Sequence, residues 1–181
     1  LMGLHDLTTM KELSSNLKSI NPYSTVYGEP WMGGSSPLSS SASAKQDNAS
    51  SYEGYGAFND KFRDALIRGG LSDKKERGWI NNNTKVDQGD VNKILSGLNG
   101  ELFINAANKV SDPNKNVIYV TCHDNYTLAD RMEASEVTSK EEIKKMAMLA
   151  NSIVFSSKGT TFMLAGEEFL RTKQGDSNSY Q

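Results

Sequence analysis

The run Val117-Ile118-Tyr119-Val120-Thr121-Cys122-His123-Asp124-Asn125 constrains this chain more than any other stretch. Its β-branched and aromatic residues follow Pro113 and Asn114 and read as a strand buried on both faces, as strands of parallel sheets are. The apolar pattern then stops abruptly at His123-Asp124-Asn125. Parallel barrels and open α/β sheets both carry their chemistry at the carboxyl ends of strands, where loops leave the packed scaffold. Any strand that reaches solvent also ends in polar residues, so the pair needs support from elsewhere in the chain.

That support comes from repetition. The spacing predicts a helix over residues 6–20, with Asp6 as N-cap and Leu7, Met10, Leu13, Leu17 and Ile20 along one stripe until Asn21-Pro22. A short strand from Tyr23 to Tyr27 follows and runs out at Gly28-Glu29-Pro30-Trp31. Residues 32–51, rich in Gly, Ser and Ala, read as a long surface loop. Tyr55-Gly56-Ala57-Phe58 reads as another short strand leading into a helix or helical turn over Asn59 to Leu66. Residues 69–90 are a second polar excursion, anchored by Trp79, and the apolar spacing from Val91 to Phe103 is irregular and broken by Gly97 and Gly100. The clearest helix opens on the capping box Ser139-Lys140-Glu141-Glu142 and carries Ile143, Met146, Ala147, Ala150, Ile153 and Val154 on one face until Gly159. Thr160 to Leu164 is the last strand and ends at Gly166-Glu167-Glu168. Three strands thus end in carboxylates, and the long crossovers between strands imply parallel pairing in an α/β fold.

A complete (β/α)8 barrel needs about 250 residues, of which this chain supplies roughly half the units. It starts in mid-element on Leu1, so it reads as part of a barrel. Its 181 residues, 36% hydrophobic and 23% charged with net charge −2, have the balance of an ordinary globular domain. No apolar run approaches the ~20 residues of a membrane span, and the basic residues are scattered, so nothing suggests nucleic acid as a partner. The single Cys122 rules out an internal disulfide framework, and His5 and His123 alone cannot build a multi-histidine metal site.

The strand ends, in order, resemble conserved regions of the α-amylase superfamily of glycoside hydrolases, and within it the type I pullulanases. Tyr27-Gly28-Glu29-Pro30-Trp31 is similar to the segment closing that family's fifth barrel strand, whose Glu is the general acid/base. Asn59-Asp60-Lys61-Phe62-Arg63-Asp64 resembles its sixth-strand stretch, and Thr121-Cys122-His123-Asp124-Asn125 the end of the seventh, whose His and Asp hold the sugar at the cleavage point. Ala165-Gly166-Glu167-Glu168-Phe169-Leu170-Arg171-Thr172-Lys173, with Gly175-Asp176 and Asn178-Ser179-Tyr180, resembles the eighth-strand segment, although Thr161 stands where many members have Pro. Leu1-Met2-Gly3 with His5-Asp6 resembles the run that follows the catalytic nucleophile Asp. The likeness is firm at both ends and around Asp124, and looser over residues 32–54 and 69–116.

The resemblance implies the C-terminal half of a (β/α)8 TIM barrel, strands five to eight with their helices, in one partial catalytic domain over residues 1–181. It implies a starch-debranching hydrolase that cuts α-1,6-glucosidic bonds of pullulan, amylopectin or glycogen with retention. Such chemistry needs one carboxylate to attack the anomeric carbon and a second carboxyl to protonate the leaving oxygen, then to activate water. By the resemblance Glu29 is the acid/base and Asp124 the further catalytic carboxylate, while His123, Trp31, Asn125 and Arg63 bind the sugar. The nucleophile itself is expected just before Leu1, so the segment alone is expected to be inactive. Its open sheet edges and uncovered core face should call for completing segments.

Other readings stay open. An α-1,4-acting amylase or a glucanotransferase would use the same carboxylates, and a non-catalytic glucan-binding segment would need none of them. Glu29 before Pro30 could be a solvated turn residue and Trp31 a packing residue. Arg63 could form a surface ion pair with Asp60 or Asp64 worth under about 1 kcal/mol. Glu168 and Arg171 read as structural, and Cys122 and His123, as strand neighbours, are expected to point to opposite faces. No cofactor or metal is expected in these residues, a structural calcium being conceivable only for the full-length parent. The expected partner is an α-glucan, with no nucleic acid and no membrane.

Overall fold

The computed structural model describes residues 1–70, 75–81, 84–85 and 87–179. Tyr180, the last residue of the eighth-strand likeness, and part of the second polar excursion lie outside these described residues. The chain runs α1 (Leu7–Ile20), β1 (Val26–Gly28), β2 (Tyr55–Phe58), α2 (Asp60–Ile67), α3 (Gln88–Leu98), β3 (Leu102–Asn105), β4 (Asn108–Val110), β5 (Asn116–Ile118), α4 (Leu128–Ala134), α5 (Lys140–Ser156) and β6 (Thr160–Thr161). The main sheet has the order β1-β2-β5-β6, every neighbour parallel. The fold is therefore mixed α/β, and the carboxyl ends of all four strands share one rim. No helix among the described residues is long and apolar enough to cross a membrane.

Caps set where the helices begin. Asp6 Oδ1 accepts the Thr9 amide at 2.8 Å, and Asn59 Oδ1 accepts the Phe62 amide at 3.0 Å. Ser139 caps α5 through the Glu142 amide at 3.4 Å. Each satisfies an amide that has no intrahelical partner, worth roughly 1 kcal/mol.

Alternation along β5 and the residues beyond it divides the core. Ile118 and Val120 face the helical layer with Phe62 and Leu66 of α2, Leu128 and Met132 of α4, and Ile143 and Val154 of α5. Val117 and Tyr119 face the other way and pack with Phe58, Trp31, Cys122 and Phe162. Phe58 makes edge contacts with Tyr27, Tyr119 and Phe162 at centroid distances of 5.6, 4.8 and 5.3 Å. Truncating a fully buried ring such as Phe62 to Ala should cost about 3–5 kcal/mol.

Several expectations need correction. Leu13, Leu17 and Ile20 are exposed, Ile20 by 84%, so the α1 stripe buries little beyond Met10. Gly97 does not break α3; it lies where a Cβ would collide with the Phe62 ring, and it allows α3 to approach α2 closely. The residues after α3 form a hairpin, β3 and β4, where only irregular spacing was legible. Helix α4, capped by Thr127, fills the stretch after Asn125. Trp79 is exposed, and the second excursion is held instead by buried Ile80 and Asn81. The Asn81 amide donates to Ile67 O at 3.0 Å and to Ser135 Oγ at 2.7 Å.

Candidate active site

Glu29 is the first residue beyond β1, and its backbone carbonyl accepts the Met2 amide at 2.7 Å. This lays the start of the chain alongside the strand exit. The Leu1 amino group stands 3.5 Å from Glu29 Oε2. On the same rim, His123 Nε2 lies 3.8 Å from Glu29 Oε1 and 3.5 Å from Asp124 Oδ2. One ligand atom from each of the three residues falls within 4.8 Å of the others. Residues far apart in sequence thus converge because parallel strands in sequential order deliver all their exits to one edge. His123 is 67% exposed and Glu29 20%, so ligand can reach both.

Trp31, Arg63, Asp124 and Asn125 line the cleft beside Glu29. That cleft continues into an open groove of about 520 Å³ past His123 and Lys173. On the Arg63 side it meets another of about 590 Å³ past Asp60 and Ser177. The groove volumes are those of sites that take small ligands. All six residues named from the sequence therefore border one connected surface.

Their partners differ in kind. Arg63 holds Asp64 through two bonds of 2.8 and 3.0 Å and donates to the Tyr119 hydroxyl at 2.8 Å. Its side chain is only 12% exposed, so this is a built floor rather than a loose surface pair. Burial alone would lower the guanidinium pKa, but Tyr119 and Asp64 outweigh it and hold it above its usual range. Burial also pushes the Tyr119 hydroxyl up, against the pull of Arg63. Arg63 spends its fork on Asp64 rather than on Glu29 or Asp124.

Cys122 and His123 do not point to opposite faces: Cys122 Sγ is 3.3 Å from His123 Nδ1. Both lie beyond β5, which ends at Ile118, so strand alternation no longer holds there. Burial pushes the Cys122 thiol up, which disfavours the thiolate a nucleophilic pair would need.

The sequence reading missed a staple across this rim. Lys173 Nζ donates to the carbonyls of Asn125 at 2.6 Å and His123 at 3.3 Å. Asn125 takes a left-handed φ of 62°, and the turn it makes is pinned from outside by Lys173. Asp130, at the start of α4, accepts from Thr172 Oγ1, from the Lys173 amide at 2.7 Å and from Thr127 Oγ1 at 2.8 Å. Burial pushes the Asp130 carboxyl up, but these donors outweigh it and hold it below its ordinary value. Glu168, expected to be structural, accepts the Gly166 amide at 2.8 Å within its own turn.

Chemically, Glu29, Asp124 and His123 offer two carboxylates and an imidazole to one spot, beside an indole and a fixed guanidinium. The donor set of His123 with two carboxylates could hold a divalent ion, and it equally matches the hydroxyls of a sugar ring. No family model matches the chain. The chain is 32% identical over 183 residues to the pullulanase of Bacillus subtilis (strain 168), a match that takes in 100% of this chain and 25% of that protein. It superposes on the crystal structure of Paenibacillus barengoltzii pullulanase in complex with maltohexaose and α-cyclodextrin with TM-score 0.87 and 37% identity, over 99% of this chain and 27% of that one. It also superposes on type I pullulanase of Bacillus subtilis str. 168 complexed with maltose, with TM-score 0.88 and 30% identity, over 99% of this chain and 25% of that one. The chain thus spans about a quarter of the length of the Bacillus subtilis relative.

Proposed function

We propose that the chain, similar to the type I pullulanases, forms the C-terminal half of a (β/α)8 barrel whose rim hydrolyses α-1,6-glucosidic bonds in branched α-glucans. The observation that carries this is the convergence of Glu29, His123 and Asp124 within 4.8 Å at one strand-end rim. Relatives crystallised with maltohexaose and with maltose support an α-glucan as the ligand of this groove.

In this reading Glu29 protonates the leaving glycosidic oxygen and then takes a proton from water. Asp124 and His123 hydrogen-bond ring hydroxyls and strengthen those bonds as the sugar flattens toward the oxocarbenium-like transition state. Trp31 offers an apolar face to a sugar ring, and Arg63 with Asn125 presents polar groups at the cleft wall. The attacking carboxylate is the remaining requirement.

The test is product analysis on the complete polypeptide carrying this segment. Incubation with pullulan should release maltotriose, as α-1,6 cleavage requires. Release of panose-type products instead would transfer the assignment to an α-1,4-acting hydrolase, and binding without turnover would reduce it to a glucan-binding segment.

A further inference from the structure

Glu167 is a buried carboxyl that the chemistry above does not use. It lies in the turn after β6, only 4% exposed. Thr121 Oγ1, itself buried, donates to Glu167 Oε1. Thr121 is two residues before His123, where the chain leaves β5 for the rim. The other carboxyl oxygen, Oε2, is buried with no partner, and so is Asn151 Oδ1 on α5. Asn151 nonetheless lies close enough to Glu167 to act on it as a hydrogen-bonding neighbour. A buried carboxyl oxygen without a partner is satisfied either by carrying the proton itself or by the Asn151 amide turning its nitrogen toward it.

We propose that Glu167 is a positioning residue for the rim: as a carboxylic acid it donates to Asn151 on one side and accepts from Thr121 on the other. It thereby ties helix α5 to the point where His123 and Asp124 depart. The inference rests on the glucan-hydrolase reading only for its consequence in turnover; the clamp itself stands on burial and hydrogen bonding.

The surroundings favour the acid form. The groups facing the carboxyl from the β5 exit and from α5, Thr121 and Asn151, are uncharged, while Glu168 in the same turn adds like charge. Burial, the largest influence, pushes the carboxyl up to about 7, against the opposing hydrogen bonds of Thr121, the Leu164 backbone and Asn151. The sign follows: a carboxyl raised above its unfolded value contributes stability at low pH and loses it as pH rises through about 7. An ionised Glu167 would leave Asn151 Oδ1 unpaired unless the amide turned its nitrogen inward, and the variants below separate these states.

In the complete enzyme, Glu167→Ala should lower kcat about tenfold with KM moved less than about threefold, because a misdirected rim loses transition-state contacts. Glu167→Gln keeps one donor and one acceptor without a charge and should restore most of that loss. Thr121→Val, which removes the hydroxyl at nearly constant volume, should lower kcat in the same sense. The His123 imidazole resonances should move in Glu167→Ala and Thr121→Val and return in Glu167→Gln. Thermal midpoints should fall from about pH 6 to about pH 8 in the parent and stay level in Glu167→Gln. Unchanged kcat in Glu167→Ala, a Gln variant as impaired as Ala, or a parent midpoint that is level or rising across this range would each overturn the proposal. The thermal and resonance arms need no turnover, so they decide on the clamp even if the hydrolase reading fails.

Discussion

Glu29 and Glu167 both lie beyond the carboxyl end of a strand in one parallel sheet, Glu29 directly after β1 and Glu167 in a turn six residues after β6, yet their surroundings are opposite. Glu29 is 20% exposed and faces the His123 imidazole in an open cleft. Glu167 is sealed among uncharged Thr121 and Asn151. Strand topology brings carboxyls to the rim, but solvent and neighbouring charge decide what each can do. Glu29 stands open to a ligand, and Glu167 is closed off from one. Asp130 adds a third case. It is as buried as Glu167, but several donors converge on it, so its carboxyl is held low rather than high.

The sharpest way to break the contrast is to make the same substitution at both glutamates. Glu29→Gln in the complete enzyme should lower turnover by about 10³-fold or more, since it removes the proton that the leaving oxygen requires. The result at Glu29 should stand far apart from that of Glu167→Gln; equal effects would mean the two carboxyls are not divided by role. Asp124→Asn comes next, with a loss of about 10²-fold in kcat and a smaller rise in KM, as for a contact that strengthens toward the transition state. A pure KM effect would make Asp124 a ground-state binding residue.

A smaller effect sharpens the buried pair. Asp130, held low, contributes stability above its unfolded value, and that contribution is lost as pH falls through its depressed folded value, below 3.8. Asp130→Asn should therefore destabilise the fold by about 2 kcal/mol near neutrality, through donors left without an anionic acceptor. It should also flatten the stability profile at the acid end. The pH slope is opposite in sign to that of Glu167, which loses stability as pH rises. Denaturation midpoints across the acid and neutral ranges check both slopes on the same protein, and slopes of the same sign would contradict the donor argument.

The same logic explains what was legible in the sequence. The caps at Asp6 and Ser139 and the carboxylates that follow β1 and β6 were readable because they are local patterns. The convergence of Glu29, His123 and Asp124 followed from repetition of those patterns in a parallel order. Local spacing could not show the Lys173 staple or the Asp130 cluster, because their partners lie more than forty residues away along the chain. Cys122 meets His123 because β5 ends at Ile118 and strand alternation does not extend to them. Trp79 is large but exposed, whereas its hydrogen bonds make Asn81 the anchor, which size alone does not show.

Helices α1 and α5 show the remaining limit of periodicity. Both carry an apolar stripe, but Ile143, Ala147, Ala150 and Val154 of α5 are buried while Leu13, Leu17 and Ile20 of α1 are open. A period of 3.6 specifies a face that would profit from a partner, not that the partner lies in the same segment. The smallest expected effect tests this. In the 181-residue chain, Leu17→Ser should change stability by no more than about 0.5 kcal/mol, as surface substitutions do. Ile143→Ser, on the buried face of α5, should cost about 3 kcal/mol or more by cavity and buried-hydroxyl terms together. If Leu17→Ser instead cost as much as the α5 substitution, the α1 stripe would be covered in solution. The apolar spacing would then have reported a contact that the chain makes beyond its own core.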